Sequence, residues 1–190
     1  MNARTTTSRM LLLSGIVTLA TMLVIPMANI GEAASIVWAL SIAPVTIGVA
    51  RVSRHATALA TVGMIVGLLA AAAIAVALGS VVLGASTSTS IAPFSAAANA
   101  LLGVWMVLAS RSLVSAGVLS ARIGWIGTVA GLCQVGAYAL LLLGGFPQNV
   151  DPSDIASLPT TVIVAGVLSL LGLPLYATWA IWGGRRLALS

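Results

Sequence analysis

The 190-residue chain carries very little charge, and reactive side chains are scarce. It contains no lysine, one histidine, one cysteine and three acidic residues, against eight arginines. Only 6% of its residues are charged, whereas about a quarter are charged in an average soluble domain. Hydrophobic residues make up 60% of the chain. This composition excludes an ordinary water-soluble domain and indicates an integral membrane protein.

The scarcity of nucleophiles and metal ligands excludes several kinds of site. With Cys133 alone, no disulfide can form within the chain and no site of several cysteines can be assembled. The single histidine, His55, follows Arg54 in a loop that we place across the membrane from all the acids. One copy of the chain therefore offers no catalytic triad and no metal cluster. We expect no catalytic residue, no cofactor and no enzymatic activity.

Six apolar runs are long enough to cross about 30 Å of hydrocarbon as helices. They cover residues 10–31, 34–50, 56–84, 92–110, 123–146 and 159–184. We therefore predict an all-α bundle of six transmembrane helices, in which residues 1–190 form a single domain. Residues 86–90, which are all serine or threonine, are predicted as an uncharged loop.

In this membrane frame, every arginine falls on one side and every acid on the other. The arginines are Arg4, Arg9, Arg51, Arg54, Arg111, Arg122, Arg185 and Arg186, and the acids are Glu32, Asp151 and Asp154. Because cytoplasmic loops are enriched in basic residues, both termini are predicted inside. Glu32 is predicted in a tight outer turn. The composition, rich in alanine, glycine and arginine, is typical of a bacterial genome, so we expect the bacterial cytoplasmic (inner) membrane.

The basic charge also bears on partners and on processing. A net charge of +5 would favour nucleic acid in a soluble protein. Here the arginines lie in separate short segments, which suits the anionic headgroups of a lipid bilayer better. We expect no nucleic-acid partner. We expect the first helix to be retained, because residues 27–34 form a poor cleavage site for a signal peptide.

Small residues recur every four positions in the third predicted helix. Helices in a bilayer associate by close packing, which small side chains permit. The predicted ridge comprises Gly63, Gly67, Ala71, Ala75 and Gly79, and the fifth helix repeats the motif with Gly127 and Gly131. Two interpretations stay open: packing within one chain, or a face for a homo-oligomer or another membrane protein.

Three prolines lie inside predicted helices, namely Pro26, Pro44 and Pro174. An interior proline removes a hydrogen bond and kinks its helix. Such kinks can form a hinge or a cavity in a transporter. They are also ordinary in membrane helices, where neighbours satisfy the freed backbone groups.

Polar side chains at membrane depth suggest one small cluster. Asn99 and Gln134 are predicted at similar depth in the fourth and fifth helices, and Tyr138 lies one turn from Gln134 on the same face. Such a cluster can hold helices together through hydrogen bonds. The alternative is that it binds a polar headgroup or a small solute.

Three segments carry a resemblance that covers most of the chain. They are Leu11-Leu12-Leu13-Ser14-Gly15 after an arginine, the segment from Gly124-Trp125-Ile126-Gly127 to Gly131-Leu132, and the run from Leu173-Pro174-Leu175 to Trp182-Gly183-Gly184-Arg185-Arg186. The chain resembles small multi-pass bacterial membrane proteins of the domain-of-unknown-function class. This resemblance implies a six-helix bundle and identifies no functional residues.

The ridge and the sparse catalytic inventory favour a non-enzymatic accessory, assembly or structural subunit of the membrane. The alternative is a small-solute or lipid transporter, which the prolines and the polar cluster support. A third hypothesis is an intramembrane enzyme that modifies lipids.

Overall fold

A computed structural model describes residues 3–24, 28–53, 57–144 and 158–189. The described part of the chain is helical and contains no strand. Its helices are α1 (Ala3–Val24), α2 (Ala28–Val52), α3 (Thr57–Val82), α4 (Ser88–Ser115), α5 (Ala121–Gly144) and α6 (Thr160–Leu189). Five of them, all but α2, are long and apolar enough to cross a membrane, and α2 contributes the shorter apolar stretch Ile36–Val52. The predicted helical membrane bundle is confirmed at this level.

The boundary between the first two helices was predicted wrongly. α1 ends at Val24 rather than at residue 31, and α2 begins at Ala28, so the backbone of Glu32 is helical and does not form a turn. Proline disfavours the helical conformation of the residue before it, so a helix is expected to end shortly before a proline, as α1 does. Pro26 itself lies outside the described residues, as do the acids Asp151 and Asp154.

The serine and threonine run before α4 is a helix start, and its prediction as a loop was wrong from residue 88 onward. Thr87 caps the helix: its Oγ1 accepts the Ser90 N–H at 3.2 Å, and the Ser90 Oγ accepts the Thr87 N–H at 3.1 Å. This reciprocal pair satisfies two backbone donors that would otherwise lack partners. Two of the hydroxyls that make this run polar therefore cap the first turn of α4.

The arginine-bearing segments are also more helical than predicted. α4 continues to Ser115 instead of ending at residue 110, and α6 continues through Arg185 and Arg186 to Leu189. Arginine can extend a long side chain toward water from the end of a helix, so its presence does not require a loop. Arg111 follows this pattern, with its guanidinium 4.6 Å from the centre of the Trp125 ring.

The helices close into a ring in chain order. Each helix packs against its sequence neighbours, and α6 packs against α1. The first and last helices run antiparallel, because the Ser8 Oγ donates to the Gly184 carbonyl at 2.8 Å while Ser14 meets Tyr176 farther along both helices. Up-and-down order then brings every described arginine to one end of the bundle, which we call the arginine end.

Glycine allows close approach at the seams of this ring. A Cβ added to Gly131 would lie 2.5 Å from the Gly103 carbonyl oxygen, and one added to Gly103 would lie 2.6 Å from the Gly131 carbonyl oxygen, so α4 and α5 cross backbone to backbone. Between α6 and α1, a Cβ on Gly184 would lie 2.9 Å from the Ser8 carbonyl oxygen. Small residues serve here as close-packing points within one chain.

The predicted ridge on α3 divides between two environments. Gly63, Gly67 and Ala71 are buried, and Gly67 lies directly against Trp105 of α4. A Cβ on Gly79, by contrast, would have no neighbour within 4 Å. Positions four apart drift by about 40° per step around a helix of 3.6 residues per turn. The arginine-end half of the ridge thus faces the bundle, and its far end does not.

The remaining predicted packing and kink residues lie inside continuous helices. Gly127 of α5 packs against Trp179 of α6. Pro44 lies within α2 and Pro174 within α6, and both helices continue past their proline. The Thr178 Oγ1 donates to the Pro174 carbonyl at 2.8 Å.

Candidate functional site: a cavity lined by six helices

A cavity of about 180 Å³ lies inside the ring, toward the end opposite the arginines. Every helix contributes to its wall. The lining residues are Thr18, Thr21 and Met22 of α1, Trp38 of α2, Ile74 and Leu78 of α3, Ser95 and Asn99 of α4, Tyr138 of α5, and Leu173 of α6. The cavity thus depends on ring closure, since its wall takes residues from all six helices.

A stripe of hydroxyls on α1 reaches the cavity wall at Thr18 and Thr21. Thr7, Ser14, Thr18 and Thr21 are spaced by seven, four and three residues, which places them on one helical face, and all four are buried. The Thr18 Oγ1 donates to the Ser14 carbonyl at 2.7 Å and accepts the Trp38 indole N–H at 2.9 Å. This pair ties α1 to α2 at the cavity wall.

Asn99 and Tyr138 supply polar groups from the other side. The Asn99 Nδ2 donates to the Ser95 carbonyl at 2.8 Å, one turn back on α4. A primary amide carries two N–H donors and an acceptor oxygen, so Asn99 has hydrogen-bonding capacity beyond this one bond. The Tyr138 side chain interacts with that of Ser169 on α6. The cavity therefore presents neutral donors and acceptors from several helices.

The structure brings two of the three predicted cluster residues to this cavity. Asn99 and Tyr138 both line it, whereas Gln134 does not. Gln134 is buried, and its Nε2 would lie 2.9 Å from a Cβ added to Gly172 of α6. Its amide thus fills the space that Gly172 leaves between α5 and α6.

Three aromatic side chains fill the centre of the ring nearer the arginine end. The ring centroids of Trp105 and Tyr176 are 6.5 Å apart, those of Trp105 and Trp179 are 6.3 Å apart, and those of Tyr176 and Trp179 are 5.8 Å apart. All three side chains are buried, and the Tyr176 hydroxyl meets the Ser14 Oγ at 2.7 Å. We call this group the aromatic plug. It separates the cavity from the arginine end.

Three buried polar atoms at the plug and on its arginine-end side have no hydrogen-bond partner among the described residues. They are the Oγ1 of Thr46, the Oγ of Ser110 and the Nε1 of Trp179. A Cβ on Gly127 would contact the Ser110 Oγ and lie 2.6 Å from the Trp179 Nε1, so these two atoms flank the same glycine. A buried unsatisfied polar group costs about 1–3 kcal/mol. These atoms therefore retain hydrogen-bonding capacity inside the bundle.

Sequence reasoning missed most of the hydroxyls at this site. The helical spacing of Ser14, Thr18 and Thr21 was the available signal, because one face of an otherwise apolar helix carried all three. Trp38 was not predicted as a residue of this site. The meeting of Trp105 with Tyr176 and Trp179 had no local signal, because it depends on how α4 and α6 are placed around the ring.

The groups that line the cavity are uncharged. Its lining contains hydroxyl, amide, indole and apolar groups without a charged side chain. Within the described ranges, no three His, Cys, Asp or Glu side chains come together as a metal site would need. Comparison with models of known protein families, with curated proteins and with solved structures gave no match.

Proposed function

We propose that this chain is a non-enzymatic multi-pass membrane protein that binds a small uncharged polar or amphipathic molecule in the six-helix cavity, as a transporter of such molecules would. The observation that carries this proposal is the convergence of all six helices on one cavity with neutral hydrogen-bonding groups. Binding sites typically combine apolar walls with a few placed polar groups. At about 180 Å³, the cavity suits a ligand below the size of those that fill pockets of about 300–1,000 Å³.

The aromatic plug supports transport over simple storage. Trp105, Tyr176 and Trp179 block the centre of the ring, so passage requires them to move. The unpartnered Thr46 and Ser110 hydroxyls are on the side that a solute would reach next. Hydrogen bonds from a passing solute would satisfy these groups at the moment when the plug opens.

The cavity proposal can be tested by osmotic swelling of proteoliposomes with glycerol, urea and erythritol as probes. We expect faster swelling than in empty vesicles for at least one probe. Asn99→Leu and Tyr138→Phe should each slow it several-fold, because they remove polar groups from the cavity wall. Thr178→Val is the matched control, since that hydroxyl bonds its own helix away from the cavity. Rates equal to those of empty vesicles for all three probes, or variants as fast as the parent, would contradict the proposal.

We further propose that all six helices span the bacterial cytoplasmic membrane with both termini inside. The alignment of the described arginines at one end supports this orientation, because basic residues favour the cytoplasmic face. The apolar stretch Ile36–Val52 of α2 supports a sixth span, since it lies at the lower limit of about 17 residues.

A second candidate function, an accessory subunit that packs against a partner, is favoured by the far end of the α3 ridge. Among the described residues, no atom lies within 4 Å of a Cβ added to Gly79, which leaves this position open to a neighbouring helix. Native mass spectrometry in mild detergent should then show an oligomer or a bound partner that Gly79→Leu disrupts. A monomer without a partner would contradict this role. Gly67→Leu is unsuitable as a probe, because Gly67 packs against Trp105 within the chain.

A further inference from the structure

A second cavity opens at the arginine end, between α1 and α2, with a volume of about 450 Å³. α1 contributes Thr6, Thr7 and Met10 to its wall, and α2 contributes Ile47, Gly48 and Arg51. It is separate from the six-helix cavity, with which it shares no lining residue. We call it the α1–α2 cleft.

Close contact between the two helices gives this cleft a floor. A Cβ on Gly48 would lie 2.9 Å from the Thr7 Oγ1, so α1 and α2 touch at this point. The Thr7 Oγ1 donates to the Ala3 carbonyl at 2.8 Å, and the lone pairs of this oxygen can still accept a hydrogen bond. The floor thus offers a buried acceptor to a hydroxyl-bearing molecule.

Arg51 gives the rim of the cleft a positive charge. It lies in the last turn of α2, and its side chain is exposed. The other described arginines lie at the same end of the bundle, whereas Glu32, the only acid among the described residues, lies near the start of α2 at the opposite end. A guanidinium presents a planar fork of N–H donors that matches a phosphate group.

The remaining wall is apolar and continues toward the membrane interior. Met10 is one turn beyond Thr6 and Thr7 on α1, and Ile47 is one turn deeper than Arg51 on α2. Ile47 is partly exposed on the outside of the helices. A polar rim followed by an apolar wall matches a molecule with an anionic head and a hydrocarbon tail.

We propose that the α1–α2 cleft binds an anionic phospholipid, whose phosphate pairs with Arg51 and whose acyl chain lies along Met10 and Ile47. A headgroup hydroxyl donates to the Thr7 oxygen. The inner leaflet supplies anionic lipids at the face where basic residues gather. This site does not depend on the function proposed for the six-helix cavity.

Native mass spectrometry of the full chain in mild detergent tests the site, with phosphatidylglycerol, phosphatidylethanolamine and inorganic phosphate as separate probes. Phosphatidylglycerol should bind with the highest affinity, and Arg51→Gln should weaken its binding about tenfold, as loss of a charge-assisted hydrogen bond predicts. Arg122→Gln is the matched control. It removes an exposed arginine from the same end of the bundle without altering the cleft.

Equal weakening by the two substitutions would overturn the site, because general surface charge would then explain the binding. Equal affinity for inorganic phosphate would overturn the lipid as its occupant. Because Arg51 is exposed, Arg51→Gln should leave the melting temperature unchanged. Phosphatidylglycerol binding of unchanged affinity in a folded Arg51→Gln protein would also contradict the proposal.

Discussion

At the scale of single residues, glycine decides how closely the helices approach. Apolar helices in lipid gain little from hiding apolar surface from one another, so close contact has to supply their association. Gly103 and Gly131 place the carbonyl of each helix where the other would carry a Cβ. A contact of this kind tolerates no added methyl group without backbone movement.

Gly131→Ala should destabilise the protein by about 1–3 kcal/mol, the usual cost of overpacking a well-packed interior. The new Cβ would press on the Gly103 carbonyl, which is backbone and cannot rotate away. Thermal unfolding in detergent measures the effect. Gly166→Ala is the control, because nothing lies within 4 Å of a Cβ at that position. If both substitutions left the melting temperature unchanged, the close α4–α5 crossing would be wrong.

The Tyr176 hydroxyl joins the aromatic plug to α1. Tyr176→Phe removes its 2.7 Å contact with Ser14 and leaves that serine only the longer 3.4 Å contact with Ser41 among side chains. We expect a loss of about 1 kcal/mol, typical of a hydrogen bond between membrane helices. Unfolding by denaturing detergent measures it. Thr178→Val, on the same helix, should cost less, and an equal cost would argue against a specific plug–α1 bond.

At the scale of helices, the capping residues decide where a helix begins and ends, and a search for apolar runs does not detect them. Gly117 follows α4 with φ at +69°, and the Val118 N–H donates to the Leu113 carbonyl at 2.9 Å. This is the glycine-terminated helix end in which a left-handed residue closes the last turn. The glycine is the cause of the stop, and it lies beyond the arginine at which the apolar run was predicted to end.

Gly117→Ala should therefore cost about 1–2 kcal/mol, the penalty for a left-handed residue that carries a Cβ. Gly117→Asn should cost less, because asparagine tolerates this conformation. Gly79→Ala is the control within a helix, where an added Cβ meets open space. Comparison of the three melting temperatures checks the order. A Gly117→Ala protein as stable as the parent would contradict the assigned helix end.

The sequence predicted helix number and approximate position because hydropathy over about twenty residues is a strong local signal. The predicted boundaries were wrong where capping decides them, as at Thr87 and Gly117, and where the apolar run continues past the end of α1 at Val24. For the cavity, the similar depth of polar residues in their helices was enough to predict Asn99 and Tyr138 as members of one cluster. It could not separate them from Gln134, because facing direction around the ring depends on all six helices together.

At the scale of the whole molecule, the packing of α6 against α1 closes the ring of helices and so forms the interior that holds the cavity. Gly15 and Gly184 allow this last seam, where Ser8 donates to the Gly184 carbonyl. No local pattern predicts that the first and last helices meet, since they are separated by most of the chain. Up-and-down order gathers the described arginines at one end, and closure of the ring leaves the six-helix cavity near the other.

This arrangement makes a prediction about sidedness that single-cysteine labelling can check. In a Cys133→Ser background, Thr89→Cys is at the cavity end and Ser120→Cys is at the arginine end, and both positions are exposed. With arginines inside, a membrane-impermeant maleimide should label residue 89 in intact cells and residue 120 only after permeabilisation. The reverse labelling pattern would show that the protein has the opposite orientation in the membrane. The six-helix cavity would then face the cytoplasm, and the α1–α2 cleft would meet the outer leaflet, where its proposed phospholipid would have to be found.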